Sequence, residues 1–215
     1  RVRWDADYAQ AEIRVATHYG AEENMREKRA RGADIHTETA EEIHIPRDDA
    51  KRLNFSVIYG IGAKTYSERQ GISKAEAKKM LDKYHAFYPG WRRLYNKAQA
   101  TAEARGYIRL YTGRLRHYNV AHAPTHKASS NLVQGTVGEM LRLAILRVRK
   151  NVPEAKMDLC VHDSLNGELP IEDHMERLRE INREMEAVFP QCTVPPRVDM
   201  KVGDRWGNLK KVEFK

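Results

Sequence analysis

Strand-like apolar runs stand at the two ends of this chain, and helical periodicity fills its middle. Val2 to Asp7 reads as a short strand, and the Ala/Glu-rich stretch from Ala11 to about Arg31 reads as helix. Ser73 and Glu76 have capping-box spacing ahead of Ala77, Met80, Leu81 and Tyr84, which share one helical face. Pro89 and Gly90 end that helix, and Trp91, Leu94, Tyr95 and Ala98 mark the next. Tyr107–Tyr111 and Arg114–Tyr118, around Thr112-Gly113, predict a β-hairpin, and Met140, Leu141, Ala144, Ile145 and Val148 a further helix. Met157–Val161 and Leu165–Leu169 read as strands around the polar turn His162-Asp163-Ser164. Met175, Leu178, Ile181, Met185 and Val188 give a last helical stripe, and Arg197–Val202 a last strand before Trp206. Sheet, helical middle and sheet again predict an α+β domain with a helical insertion.

One segment supports two readings. Arg47, Lys51, Phe55 and Tyr59 recur every fourth residue, so on a helix two cations and two aromatic rings form a stripe roughly 18 Å long. That length suits a triphosphate, sugar and base laid end to end, with the cations near the helix start, where free N–H groups already favour phosphate. The β-branched and aromatic content of Asn54–Tyr59 also fits a strand ending at Gly60 and Gly62. Pro46 ahead of Arg47, and Asp48 and Asp49 in the would-be first turn, favour the helix.

Composition narrows the partners. The 215 residues carry a formal charge of +8, which favours an anionic partner without naming it. The two cysteines, Cys160 and Cys192, form no CxxC or zinc spacing, which argues for a reduced intracellular setting. No apolar run is long enough to span a bilayer, so no membrane partner is expected. There is no repeat, low-complexity tract or Pro/Ser-rich tether. The start at Arg-Val-Arg-Trp, without Met or signal peptide, suggests a piece of a longer polypeptide.

Asp7 and Asp163 are the carboxylates that stand out, because each follows or interrupts an apolar run where an unpaired charge is costly. Brought together, they would repel unless a cation neutralised them, and oxygen ligands suit Mg²⁺. A pair of such ions about 4 Å apart activates an attacking hydroxyl and stabilises a departing phosphate oxygen. Taken singly, Asp7 also fits the cap of a helix starting at Tyr8, and Asp163 an ordinary turn.

Several segments together resemble family A DNA polymerases, the group of bacterial DNA polymerase I and many phage replicases. Asp7-Tyr8-Ala9-Gln10-Ala11-Glu12-Ile13-Arg14 is similar to the family's first palm motif, and Asp34-Ile35-His36 to the Asp-Ile-His before its nucleotide-binding helix. Arg47-x3-Lys51-x3-Phe55-x3-Tyr59-Gly60 matches that helix, Gln134-Gly135-Thr136 resembles the family's Gln-Gly-Thr, and Val161-His162-Asp163 its third motif. The motifs follow the family's order over nearly the whole chain.

The resemblance implies a right-hand polymerase fold: an antiparallel-sheet palm in residues 1–19 and 119–215, with helical fingers in 20–118 and the nucleotide-binding helix at about 46–60. The thumb and other N-terminal segments would lie on the parent polypeptide before residue 1. It implies two Mg²⁺ ions on Asp7, Asp163 and the Tyr8 carbonyl, and a triphosphate gripped by His36, Arg47 and Lys51, with Lys51 also protonating the pyrophosphate. For His36 alone, an ordinary helix-surface histidine remains the competing reading. Phe55 would pack beside the sugar, its phenyl ring discriminating against dideoxynucleotides. Glu12, supported by Tyr59, would exclude a ribose 2′-hydroxyl. Gln10, Arg14, Gln134 and His162 would touch the primer-template.

Some positions depart from the family. Ser164 stands where a Glu usually follows the metal-binding Asp, and His126 and Ser130 where Arg and Asn are common. The implied activity is template-directed addition of dNTPs to a primer 3′ end in a bacterial or phage-infected cytoplasm, with closure of the Arg47–Tyr59 helix over a matched base pair as the fidelity step. A single-subunit RNA polymerase and a non-catalytic DNA-binding replication subunit are the alternatives. Glu12 argues against the first, and the set Asp7, Asp163 and Lys51 against the second.

Overall fold

The computed structural model describes residues 1–30, 34–119 and 124–214. Its elements run β1 (Val2–Tyr8), α1 (Ala11–Gly20), α2 (Glu23–Ala30), α3 (Ile35–Ile43), α4 (Arg47–Ile58), α5 (Ala63–Gln70), α6 (Lys74–Phe87) and α7 (Pro89–Arg105). They continue with β2 (Tyr107–Arg109), β3 (Leu115–His117), α8 (Ala128–Asn151), β4 (Lys156–Val161), β5 (Ser164–Leu169), α9 (His174–Glu186), β6 (Val198–Gly203) and β7 (Lys210–Val212). The chain divides into two compact units, residues 1–14 with 137–215, and residues 15–136.

The first unit is built on a five-stranded sheet of order β4-β5-β1-β6-β7, with every neighbouring pair antiparallel. Alternation along β1 buries Trp4, Ala6 and Tyr8, while Arg3, Asp5 and Asp7 point to the opposite face. Leu165, Leu169 and Met200 add to the buried side, as do Leu178, Ile181 and Met185 of α9. The Tyr8 hydroxyl donates to the Met185 carbonyl at 2.8 Å, tying β1 to α9. Gly167 sits where β4 and β5 are irregular: a Cβ there would collide with the Lys156 carbonyl oxygen and lie 2.9 Å from Trp4 Cζ2. The short β7, which the sequence pattern did not predict, extends the β6 edge and brings Lys211 within 3.1 Å of Asp199.

The second unit is helical apart from the β2–β3 hairpin. The single helix expected from Ala11 to about Arg31 is instead two, α1 and α2, broken where Ala21 takes a positive φ of 46°; Arg31 lies outside the described residues. Glu22, at the break, is buried and accepts from the backbone N–H of Gly90, capping the start of α7 from a distant segment. Burial raises its pKa, against the lowering effect of bonds from the Gly90 and Asn24 N–H groups. The capping box forms as expected, Glu76 N–H to Ser73 Oγ at 3.2 Å and Ser73 N–H to Glu76 Oε2 at 2.9 Å.

The segment with two readings is helical. Ala50, Leu53, Asn54, Val57 and Ile58 are the buried residues of α4, a three-and-four spacing that a strand would split between two faces. Asn54 masks this pattern in the sequence, because a polar side chain occupies a core position. Asp7 does not cap a helix at Tyr8 either: β1 runs through Tyr8, and α1 begins at Ala11.

Candidate active site

Two strand junctions of the first unit bring the carboxylates together. Asp7 lies near the end of β1, opposite Ser164 on β5 and Asp199 on β6. Asp163 occupies the turn between β4 and β5, and its carbonyl accepts from the Tyr8 N–H at 3.3 Å. Ser164 Oγ donates to the Val161 carbonyl at 3.0 Å and accepts from Asn166 Nδ2 at 3.0 Å, so it braces the turn rather than adding charge. His162, exposed at its tip, has a positive φ of 55°.

The electrostatics match a cation site. Burial first, then the neighbouring Asp163 and Asp5, push the Asp7 pKa up to about 6, with Lys201 opposing. Burial also raises Asp163, against a hydrogen bond from its own backbone and the nearby His162. Two desolvated carboxylates that repel one another are stabilised as anions by a hard divalent cation. Among the described residues no group of three or more His, Cys, Asp or Glu side chains forms a ready metal cage. Two carboxylates and a backbone carbonyl nevertheless suit Mg²⁺, which keeps several of its waters.

Without metal, this arrangement makes Asp7 destabilising when ionised. Its folded pKa exceeds the model-peptide value of 3.8, so its favourable contribution is complete below 3.8 and is lost as pH rises through about 6. Asp7→Asn is therefore expected to stabilise the metal-free chain at pH 8 by about 1 kcal/mol after allowance for solvent screening. Urea unfolding with EDTA at pH 5 and pH 8 checks this: the advantage of the variant should grow with pH, and an advantage confined to pH 5 contradicts the electrostatic reading.

In the second unit, Lys51, Phe55 and Tyr59 share a cleft of about 570 Å³ with Asp48, Arg52 and Ser56 of α4 and Arg69 and Gln70 of α5. Tyr59 sits at the C-terminal cap of α4, 43% exposed, its N–H bonded to the Phe55 carbonyl. The fourth member of the stripe is engaged elsewhere: Arg47 reaches Asp34 Oδ2 through Nε and Nη2, both at 2.7 Å. Asp34 also caps α3, accepting from the His36 N–H at 3.1 Å and the Thr37 hydroxyl at 3.0 Å. Burial alone would raise its pKa, but the bonds from Arg47, His36 and Thr37 leave it lowered. This link had a signal in the sequence, an N-cap aspartate before a helix, although the spacing does not reveal its cationic partner.

His36 is not a surface histidine. It is 3% exposed, its Nδ1 lies 2.9 Å from Asn54 Nδ2, and its ring contacts that of Phe55 at 5.9 Å between centroids. The expected DNA-contacting residues fall in both units, Gln10, Arg14 and His162 in the first and Gln134 in the second. Gln10 has φ 53° and a buried Oε1 without a hydrogen-bond partner among the described residues. Arg14 donates to the carbonyls of Ala9 and Pro195, both at 2.8 Å, fastening the turn after β1. Gln134 is exposed on α8.

Comparison with known proteins agrees with the motif order. The sequence model of DNA polymerase family A matches residues 2–208. The chain belongs to DNA polymerase family A. Curated relatives in this family include DNA polymerase I of Geobacillus stearothermophilus, 30% identical over 95% of this chain and 26% of that protein. The thermostable DNA polymerase I of Thermus aquaticus is 32% identical over 95% of this chain and 27% of its own length. The chain thus spans about a quarter of the length of these family A polymerases. The solved polymerase domain of Pol1 from M. smegmatis, in complex with a DNA primer-template and dNTP, aligns with a TM-score of 0.89. It is 23% identical and covers 96% of this chain and 40% of that one, a likeness that establishes the α+β polymerase fold.

Proposed function

We propose that this chain is the palm and fingers part of a template-directed DNA polymerase that transfers nucleotides from dNTPs to a primer 3′-hydroxyl. The observation that carries the proposal is the pairing of Asp7 with Asp163 at two strand junctions, with burial raising both carboxyl pKa values and the neighbouring Asp163 raising that of Asp7 further. Residues 1–19 and 119–215 are assigned to the palm and 20–118 to the fingers. The partners are primer-template DNA, dNTPs and the remaining segments of the parent polypeptide, in a bacterial or phage-infected cytoplasm. Among the described residues no helix is long and apolar enough to cross a membrane.

Asp7, Asp163 and the Tyr8 carbonyl are the groups suited to hold two Mg²⁺ ions. When bound, these ions supply charge neutralisation and activation of the primer hydroxyl. Phosphoryl transfer asks little covalent work of a protein, so the remaining residues act by alignment and charge. Lys51 binds the triphosphate and protonates the departing pyrophosphate. Arg47 and His36 bind its oxygens, an incoming phosphate competing with Asp34 for the Arg47 guanidinium. Phe55 and Tyr59 present flat surfaces to sugar and base along the α4 cleft. Gln10, Arg14, Gln134 and His162 are assigned to the primer-template.

Glu12, half-buried in the first turn of α1, is assigned to the C2′ edge of the sugar. Primer extension by the full-length polymerase with dNTPs or rNTPs in Mg²⁺ tests the proposal: dNTP incorporation should dominate and stop on chelation. Glu12→Ala should lower discrimination against rNTPs by about tenfold or more, through loss of a steric block and one hydrogen bond. Unchanged discrimination removes Glu12 from this role, and rNTP preference in the parent enzyme contradicts the assignment as a DNA polymerase.

A further inference from the structure

The buried side of α4 carries a polar network. Asn54 is fully buried; its Oδ1 lies 2.8 Å from the Tyr84 hydroxyl and 3.2 Å from Thr39 Oγ1, and its Nδ2 faces His36 Nδ1 at 2.9 Å. Thr39 Oγ1 donates to the Ile35 carbonyl at 2.8 Å and lies 3.2 Å from the Tyr88 hydroxyl. Five side chains on α3, α4, α6 and the α6–α7 junction are thereby joined inside the second unit. An apolar residue at position 54 would fill the space without the cost of burying an amide. A role in orienting a partner accounts for the polar choice.

The network dictates proton positions. Tyr84 is wholly buried among the rings of His85, Tyr88 and Trp91, and its single hydroxyl proton points to Asn54 Oδ1. Turning the amide over would set that proton against an NH₂ group and leave a buried donor unsatisfied. With Oδ1 so committed, the amide offers an N–H to His36, and Nδ1 must accept it. A neutral imidazole has one proton, which then resides on Nε2.

We propose that Asn54 is a positioning residue that holds His36 in its Nε2–H tautomer, so that a hydrogen rather than a lone pair is offered to an anionic phosphate oxygen. This rests on the reading of His36 as a triphosphate contact. Asn54 does not touch the nucleotide in this scheme. It acts through His36, while Tyr84, Thr39 and Tyr88 keep the amide from rotating.

Histidine ¹⁵N–¹H couplings measured by NMR on the ¹⁵N-labelled chain, with His36 assigned by loss of its signals in His36→Gln, read the tautomer directly. Nδ1 should be unprotonated; a proton on Nδ1 overturns the proposal. In Asn54→Asp, which keeps the shape but can only accept, Nδ1 should gain a proton, and a signature unchanged from the parent also overturns it. In the full-length polymerase, Asn54→Leu should raise the KM for dNTP about tenfold, the equivalent of one hydrogen bond to a charged group, with a smaller change in kcat. In the His36→Gln background the same substitution should have no further effect on KM. An effect that persists there means Asn54 acts through packing, which contradicts the positioning role. An unchanged KM in His36→Gln beside an Nε2–H parent removes His36 from the triphosphate and leaves the tautomer assignment standing.

Discussion

Asp163→Ala in the full-length polymerase is expected to lower kcat for primer extension by about a thousandfold or more, with binding of primer-template nearly unchanged. The expectation follows from how the fold treats this side chain. The turn between β4 and β5 lifts Asp163 beside β1, where its carbonyl is bonded to the Tyr8 N–H and its carboxylate raises the pKa of Asp7. Ser164, next in the chain, is occupied with the Val161 carbonyl and Asn166, so it offers no replacement carboxylate. Removing Asp163 relieves the repulsion on Asp7 but leaves one carboxylate where the proposed two-ion site takes two. Asp7→Ala should have an effect of similar size, and the double variant should be little worse than either, because the pair acts as a unit. Single-turnover extension at saturating Mg²⁺, with duplex affinity measured in parallel, checks both. Extension within tenfold of the parent enzyme would remove these carboxylates from the chemistry; equal loss of duplex affinity would mean that the substitution acts on folding.

The largest effect on stability is expected from Gly167→Ala, a loss of roughly 3 kcal/mol or more, the scale of overpacking a closed core. A Cβ at this position meets the Lys156 carbonyl, which is backbone and has no rotamer to yield, and Trp4 Cζ2 at 2.9 Å, one of the largest fully buried side chains. Relief requires β4 to move away from β5, next to the irregularity between Met157 and Leu159. That movement displaces the turn carrying Asp163. Thermal unfolding of the chain should show a clear drop in Tm, and metal-dependent activity in the full-length enzyme should fall with it. A melting curve superimposable on the parent's would show that the β4–β5 pair is more compliant than its close approach implies. Gly113→Ala, where nothing lies near the added Cβ, serves as a comparison; its positive φ of 91° should cost less than the Gly167 collision.

Much of the local structure was legible because it depends on local chemistry. The capping box at Ser73 and Glu76, the hairpin around Gly113, the strands flanking Asp163 and the amphipathic α9 follow from spacing and turn residues alone. Where sequence reasoning misjudged, a distant partner had intervened. The helix expected to run on from Ala11 breaks at Ala21 because Glu22 is drawn into the core to cap α7, a need that arises some seventy residues away, at Gly90. For His36, expected at the triphosphate, it is the competing reading of a helix-surface histidine that fails, because Asn54 and Phe55 enclose it. The strand alternative for Asn54–Tyr59 arose because Asn54 is a polar residue in a core position, and only Tyr84, Thr39 and His36 make that position acceptable.

The sequence by itself determined the family, the order of its motifs and the identities of Asp7, Asp163, Lys51, Phe55 and Tyr59 as candidates, because chemical type and four-residue spacing are properties of the chain. Tertiary structure alone decided which of them meet and in what state. Strand register sets Asp7 opposite Ser164 and beside the Asp163 turn, and burial with mutual repulsion then moves its pKa to about 6. The stripe of α4 is divided in the same way: Lys51, Phe55 and Tyr59 open onto one cleft, while Arg47 is held by Asp34 across the start of α3. Spacing specifies a direction along a helix, but charge pairing and desolvation depend on neighbours that only the folded chain supplies.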